Sequence, residues 1–491
     1  MFVRLNPNYW LRQDGNRVIL LGEKNDNWES QEWLSFIHPY HAIMFSFFKG
    51  ELPFEKELEN CATFFNLPIN RTRQIVSQYL NNPNSIKIRQ KDGETIGFPK
   101  NVLLSSYSKF DNLLNTAKYS TSDFEINGTP DYNRLRLQFP ININFELTMK
   151  CYADCCYCYA NRQLRDRAMV SFDVIKNLIK EAKDNRAYKF DINGGEVLLH
   201  PNIKEILSEL TRNGYMPLVS TKMPINHDML NHLKDVGLKK FQISLDSIDE
   251  NILKKMICVP SGYLEKIYNT INYAQSIGLE IEVNTVITRY NSESHILEQL
   301  IEKLSGFKNI HTLRLSPYGY SIYKKNFNEL SPSKNQLQLI ESTYHEWSKK
   351  YSLDIRFSSY EDANSYIPEN RTKIFNRRAI CTGNVWGVVI LPNGDVTICE
   401  ELYDHPAFIL GNITRNSLKE IWNSPKAIEL YENPLKNISS SRCKNCNSYN
   451  ECRTGAGVCW KTVIMAYGED NWHYPDPRCP NAPEFINNFC Y

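Results

Sequence analysis

Between Ile141 and Pro317 the chain alternates six strand-like runs with amphipathic stretches, and this alternation limits the fold more than any other feature. The runs are Ile141–Leu147, Lys189–Ile192, Met216–Ser220, Lys240–Leu245, Glu280–Ile287 and Leu313–Ser316. Between them, Phe172–Asp184, Asn202–Asn213 and Tyr263–Ile277 repeat apolar residues at helical spacing. Strands joined through helices must run parallel, and each crossover packs back on the sheet with one hand. Six such units predict an α/β fold in which the sheet curls into a partial barrel. Barrels of this kind carry their chemistry at the C-terminal ends of the strands.

The first run leads into ELTMKCYADCCYCYA, which contains Cys151-x3-Cys155-x2-Cys158. Three thiolates on one short loop can hold three irons of a [4Fe–4S] cluster and leave the fourth open to a small molecule. Structural clusters and zinc sites are normally closed by four protein ligands. Half a zinc site, or a set of buried thiols, is the plainer alternative. Cys156 breaks the spacing and reads as a non-ligand. The second run leads into DINGGEVLLHP, with Gly194, Gly195 and Glu196. Glycines let a backbone approach a ligand closely, and a carboxylate accepts from an ammonium; alone, the tripeptide reads as readily as a turn. The fourth run ends in ISLDS, with Ser244 as a candidate ligand and Asp246 as either a ligand or a structural group.

Net charge is +2, from 57 Lys+Arg against 55 Asp+Glu, which offers no footprint for nucleic acid or a polybasic membrane patch. MFVRLNPNYW has no signal-peptide core, and the apolar run from Ala42 to Phe48 is too short to span a bilayer. A cytoplasmic location is expected. There, 14 cysteines argue for metal or redox chemistry and against disulfides. Four lie in 151–158 and eight in 381–490, leaving Cys61 and Cys258 alone.

Residues 1–95 read as an α+β unit: strands, about three helices, then a hairpin after Ser85–Arg89 at the Asp92-Gly93 turn. Leu58, Cys61, Ala62 and Phe65 share one helix face, which makes Cys61 a core residue. This order suggests a winged helix. Residues 96–138 are polar and read as a linker. The barrel is expected over 139–345 and a connecting region over 346–380. A cysteine-rich domain short of periodic structure, held together by metal, is expected over 381–491. Its cysteines run Cys381-x12-Gly394-x4-Cys399, then Cys443-x2-Cys446-x5-Cys452-x6-Cys459, then Cys479, with Cys490 beyond.

The first cysteine loop, with Tyr157 before Cys158, resembles the signature of radical S-adenosylmethionine (SAM) enzymes. Gly194-Gly195-Glu196 resembles the family's motif for the SAM amino group, and the Ser244–Asp246 segment resembles one that borders SAM. The family often carries an Arg shortly afterward; here the stretch is KKMICVPSGY, without one. The C-terminal cysteines resemble the SPASM domain. That resemblance implies one auxiliary cluster on Cys381, Cys399 and Cys459 and a second on Cys443, Cys446, Cys452 and Cys479. The family's run ends in a shorter gap before its last Cys than the six residues before Cys459. Residues 1–95 resemble the leader-recognition element of enzymes that modify ribosomally made peptides. Together these resemblances imply a peptide maturase with three [4Fe–4S] clusters and SAM. A 5′-deoxyadenosyl radical would abstract hydrogen from a precursor peptide, and a low-potential donor such as flavodoxin or ferredoxin would supply the electron that cleaves SAM. No cysteine lies between Cys258 and Cys381, so the first auxiliary cluster lacks an upstream fourth ligand and could take a substrate thiolate. That favours an intramolecular Cys thioether, unless Cys490 fills the vacancy. The alternatives are a carbon–carbon cyclophane synthase, a peptide epimerase, an anaerobic sulfatase-maturing enzyme and a zinc-binding winged-helix regulator.

Overall fold

A computed structural model describes residues 1–22, 33–89, 95–107, 119–160, 167–319, 321–323, 327–358, 374–402, 404–432, 441–455 and 457–486. The chain divides into two compact units, Met1–Gln138 and Phe139–Tyr491.

In the first unit, β1 (Phe2–Leu5) is followed by an antiparallel meander of β2 (Tyr9–Asp14), β3 (Arg17–Gly22) and β4 (Trp33–Ile37). Next come helices α1 (Pro39–Ser46), α2 (Phe54–Phe64) and α3 (Ile69–Ser77), then the hairpin β5 (Ile86–Arg89) and β6 (Thr95–Phe98). Gly15 takes φ +66° in the β2–β3 turn, a backbone that favours glycine. Leu58, Cys61 and Ala62 are buried on α2, and the Cys61 thiol is pushed up to about 12 by burial. The Asp92-Gly93 turn lies outside the described residues.

The expectation of a linker over 96–138 is corrected. β7 (Leu103–Ser106) pairs antiparallel with β1, and Val102, Tyr119 and Phe124 are buried in the core of this unit. The Leu11 N–H donates to the Tyr119 hydroxyl at 2.8 Å, and Gln138 N donates to Asp14 Oδ1 at 2.8 Å. Polar composition concealed this, because the partners lie about a hundred residues upstream.

The second unit begins with β8 (Asn142–Thr148), α4 (Phe172–Asp184), β9 (Lys189–Gly194), α5 (Ile203–Arg212) and β10 (Ser220–Thr221). It continues with α6 (His227–Asp235), β11 (Lys240–Ser244), α7 (Glu250–Ile257), α8 (Tyr263–Ser276), β12 (Glu280–Ile287), α9 (Ser294–Ser305) and β13 (Ile310–Pro317). These strands form the partial barrel. α4 buries Ile175, Leu178, Ile179 and Ala182 on one stripe, each large side chain contributing roughly 1.5–3 kcal/mol by leaving water. β12 alternates buried Ile281, Val283, Thr285 and Ile287 with less buried Glu282, Asn284 and Val286. Of the run expected at Met216–Ser220 only Ser220 joins a ladder, together with Thr221 just beyond it. Pro217 has no N–H to donate there.

Two further features depart from the sequence reading. After the helices Phe327–Leu330 and Lys334–Tyr351, β14 (Asp354–Phe357) adds a parallel strand beside β13. The cysteine-rich region supplies β15 (Gly387–Ile390), β16 (Asp395–Thr397) and β17 (Gly411–Asn412). β15 pairs parallel with β8, so the sheet order is β17-β16-β15-β8-β9. Hydrogen bonding to the barrel, and not metal alone, orders this segment.

Candidate active site

The loop after β8 is positioned by backbone bonds. The Asp154 and Cys156 N–H groups donate to the carbonyls of Ile257 and Met256 at 2.9 and 2.8 Å. Those carbonyls end α7, where Cys258 adopts a left-handed φ of +53°. The KKMICV segment therefore holds the cysteine loop from behind. Cys151, Cys155 and Cys158 open on one cavity of about 350 Å³, whose wall includes Gly194, Gly195, Glu196, Lys222 and Ser244. Cys156 is absent from that wall. Burial pushes the Cys155 thiol up to about 12, against the pull of the Lys222 ammonium; iron ligation would require its thiolate. Among the described residues no three His, Cys, Asp or Glu side chains converge as they would round a single ion. The fit to a cluster, which keeps each thiolate on its own iron, rests on three thiols of one loop facing one cavity.

Gly194 and Gly195 have a steric reason. A Cβ on Gly194, which has φ +128°, would lie 2.3 Å from Thr148 O; one on Gly195 would lie 2.2 Å from Lys150 O. Without side chains, Gly195 N donates to Thr148 O and Glu196 N to Lys150 O, both at 2.7 Å. The end of β9 is thus laced to the stem of the cysteine loop. The Glu196 carboxylate is 2% exposed and accepts from the Thr221 hydroxyl at 2.8 Å, Lys222 N at 3.1 Å and Leu198 N at 3.3 Å. Burial raises its pKa, and these donors oppose the rise.

Ser244 and Asp246 part company. Ser244 lines the cavity. Asp246 is fully buried behind it: Oδ1 accepts from Val286 N at 2.9 Å, and Oδ2 from the Tyr157 hydroxyl and from Lys222 Nζ at 3.2 Å. Tyr157 lies above its ordinary pKa, first through burial and then through Asp246. Asp246 positions Tyr157 and Lys222.

Sequence reasoning missed Lys222 and a polar cluster on β8 and β9. Asn144 and Asn193 donate to Glu400 Oε2 at 3.4 and 3.1 Å. Beside them Glu146 is 1% exposed, with neither carboxylate oxygen hydrogen-bonded. Burial, then the Glu400 charge, hold it well above the carboxylate range and favour the neutral acid. The available signal was position alone: each residue lies on a barrel strand or just past one.

In the C-terminal region the cysteines fall into two neighbourhoods. Cys459 acts on both Cys381 and Cys399, and Cys381 on Cys399; burial and then Cys459 push Cys381 up to about 11. Cys443, Cys452 and Cys479 form the other. Arg378 Nη2 lies 3.2 Å from Cys452 Sγ and Arg453 Nη2 3.6 Å from Cys443 Sγ, a setting that suits thiolates. Cys446 N donates to Cys443 O at 3.2 Å. Gly394, with φ +86°, closes the β15–β16 turn through its N–H to Leu391 O. Cys490 lies outside the described residues. No described helix is long and apolar enough to cross a membrane.

Residues 145–300 match the radical SAM superfamily, and residues 381–447 match the SPASM iron–sulfur cluster-binding domain. Over 305 residues the chain is 24% identical to the PqqA peptide cyclase of Xanthomonas axonopodis pv. citri, covering 59% of this chain and 75% of that one. Over 337 residues it is 26% identical to the antilisterial bacteriocin subtilosin biosynthesis protein AlbA of Bacillus subtilis, covering 68% and 69%. Streptococcus suis SuiB, solved with its precursor peptide SuiA, shares the fold with a TM-score of 0.63 and 15% identity over 100% of both chains.

Proposed function

This chain is a radical SAM enzyme with a SPASM iron–sulfur domain, and on that premise we propose that it modifies a ribosomally made precursor peptide by closing a Cys thioether within it. [4Fe–4S] clusters and SAM are its cofactors, and when bound they supply a 5′-deoxyadenosyl radical able to take hydrogen from an unactivated carbon. Cys151, Cys155 and Cys158 would hold the first cluster, with Ser244, Gly194, Gly195 and Glu196 around SAM. Asp246 stands behind that wall and holds Tyr157, which lines it. Cys381, Cys399 and Cys459 would hold one auxiliary cluster, and Cys443, Cys446, Cys452 and Cys479 a second.

A peptide substrate is supported by the relatives: a peptide cyclase, a bacteriocin biosynthesis protein and SuiB, which was solved with its precursor peptide. The first unit suits leader binding, because its sheet β2–β3–β4 ends in edge strands to which an extended peptide can add. A flavodoxin- or ferredoxin-like protein is the proposed electron donor.

The thioether reading is carried by one observation. Cys381, Cys399 and Cys459 neighbour one another, and no cysteine between Cys258 and Cys381 offers a fourth thiolate. A substrate cysteine is the natural soft ligand for that position. The reaction exchanges one C–H and one S–H bond for a C–S bond. It would therefore remove two hydrogens, one to the adenosyl radical and one as a proton and an electron, with an auxiliary cluster as the electron acceptor. The test is mass spectrometry of a cysteine-containing precursor encoded beside this gene, after anaerobic turnover. Loss of two hydrogens with a cysteine that no longer alkylates is expected. An unchanged mass with deuterium taken up from solvent would instead mean epimerisation.

A further inference from the structure

SAM carries an α-carboxylate as well as an α-ammonium, and a buried carboxylate needs a cation or fixed donors. The stretch after β11 has no Arg to offer, and the fold uses it otherwise: its carbonyls at Met256 and Ile257 take N–H groups from the cysteine loop. Among the described residues, the cavity wall holds two cations, Lys222 and Lys461. Lys461 Nζ is engaged by Glu401 Oε1 at 2.6 Å. Lys222 lies just past the short strand β10, at the end where barrels place ligands.

Its surroundings fix it there. Lys222 N is tied to the Glu196 carboxylate, and Nζ is held by Asp246 Oδ2 at 3.2 Å and lies 5.3 Å from the Tyr157 ring centroid. The side chain is only 15% exposed. An ammonium has three donors, and Asp246 takes one of them. Asp246 also neutralises the cation before any ligand arrives, so burying Lys222 is tolerable. We propose that Lys222 binds the α-carboxylate of SAM. The proposal needs only the cofactor and does not depend on the peptide chemistry above.

The test measures binding by the reconstituted, oxidised enzyme, without turnover. The probes are SAM and decarboxylated SAM, which lacks only the carboxylate. A charge-assisted hydrogen bond corresponds to a Kd change on the order of 10- to 100-fold. Lys222→Met should weaken SAM by that factor and leave decarboxylated SAM within about twofold, so the ratio of the two Kd values collapses; Lys222→Arg should restore part of it. An unchanged ratio in Lys222→Met would overturn the assignment. So would equal weakening of both ligands with loss of iron, which would make Lys222 a structural support of the loop. A third measurement is the midpoint potential of the cluster without SAM. A shift there, with the Kd ratio intact, would assign Lys222 to the cluster's charge and also overturn the proposal.

Discussion

Gly195→Ala tests whether the glycine pair serves the cysteine loop. The added Cβ would lie 2.2 Å from Lys150 O and 2.7 Å from Met149 O, both backbone atoms that cannot swing aside. Reaching an ordinary contact of about 3.4 Å requires the two segments to part by roughly 1.2 Å. The bonds from Gly195 N to Thr148 O and from Glu196 N to Lys150 O, now 2.7 Å, would then lie beyond hydrogen-bonding range. At about 0.5–1.5 kcal/mol net each, their loss costs roughly 1–3 kcal/mol, which the rest of the unit can absorb. The functional cost is larger, because Lys150 immediately precedes Cys151 and a displacement near 1 Å at a reacting centre costs on the order of 100-fold. The expected result is a folded protein, with helical circular dichroism intact, that yields at least about 100-fold less 5′-deoxyadenosine under dithionite. Gly319→Ala is the control, since a Cβ there meets nothing within 4 Å on the same cavity wall. Gly195→Ala with iron content and SAM cleavage within about twofold of wild type would show that the strand end and the loop are not coupled as argued.

Two further outcomes are expected. Replacing Cys151, Cys155 or Cys158 singly by Ala should abolish 5′-deoxyadenosine formation after reconstitution, and a normal yield from any one variant would remove that residue from the site. His41 is buried against Tyr79 and Phe98, with burial lowering its pKa from 6.5 to about 4. The native state therefore binds fewer protons than the unfolded chain, and stability present above pH 6.5 is lost as pH falls toward 4, by roughly 3 kcal/mol. Glu57, pushed up to about 7 by burial, acts in the opposite direction over the same range, so the informative quantity is the difference from His41→Leu. Equal pH slopes for variant and wild type in chemical unfolding of the first unit would refute the assignment.

What the sequence disclosed follows the range of the interactions involved. The barrel was legible because periodicity is local, and the grouping of Cys151, Cys155 and Cys158 round one cavity because all three sit on one loop. Residues 96–138 were misread because their order comes from β1 and Leu11, whose backbone partners leave no trace in composition. Lys222 was invisible for the same reason: Asp246 and Glu196, which give it meaning, arrive from other strands. Glu146 could be named only once the fold buried both its carboxylate oxygens without a hydrogen bond.

The same distinction recasts the C-terminal region. Its cysteine spacing suggested a separate lobe held by metal, yet β15 runs beside β8 from Gly387 opposite Asn142 to Ile390 opposite Phe145. Without β15, the strand that feeds the cysteine loop would be a bare sheet edge, with its N–H and C=O groups open to pairing. Glu400, next to Cys399, then receives Asn144 of β8 and Asn193 of β9. One hydrogen-bonded sheet thus joins the stem of Cys151 to the stem of Cys399. Cysteines so far apart in sequence are held in a fixed relation by backbone bonds.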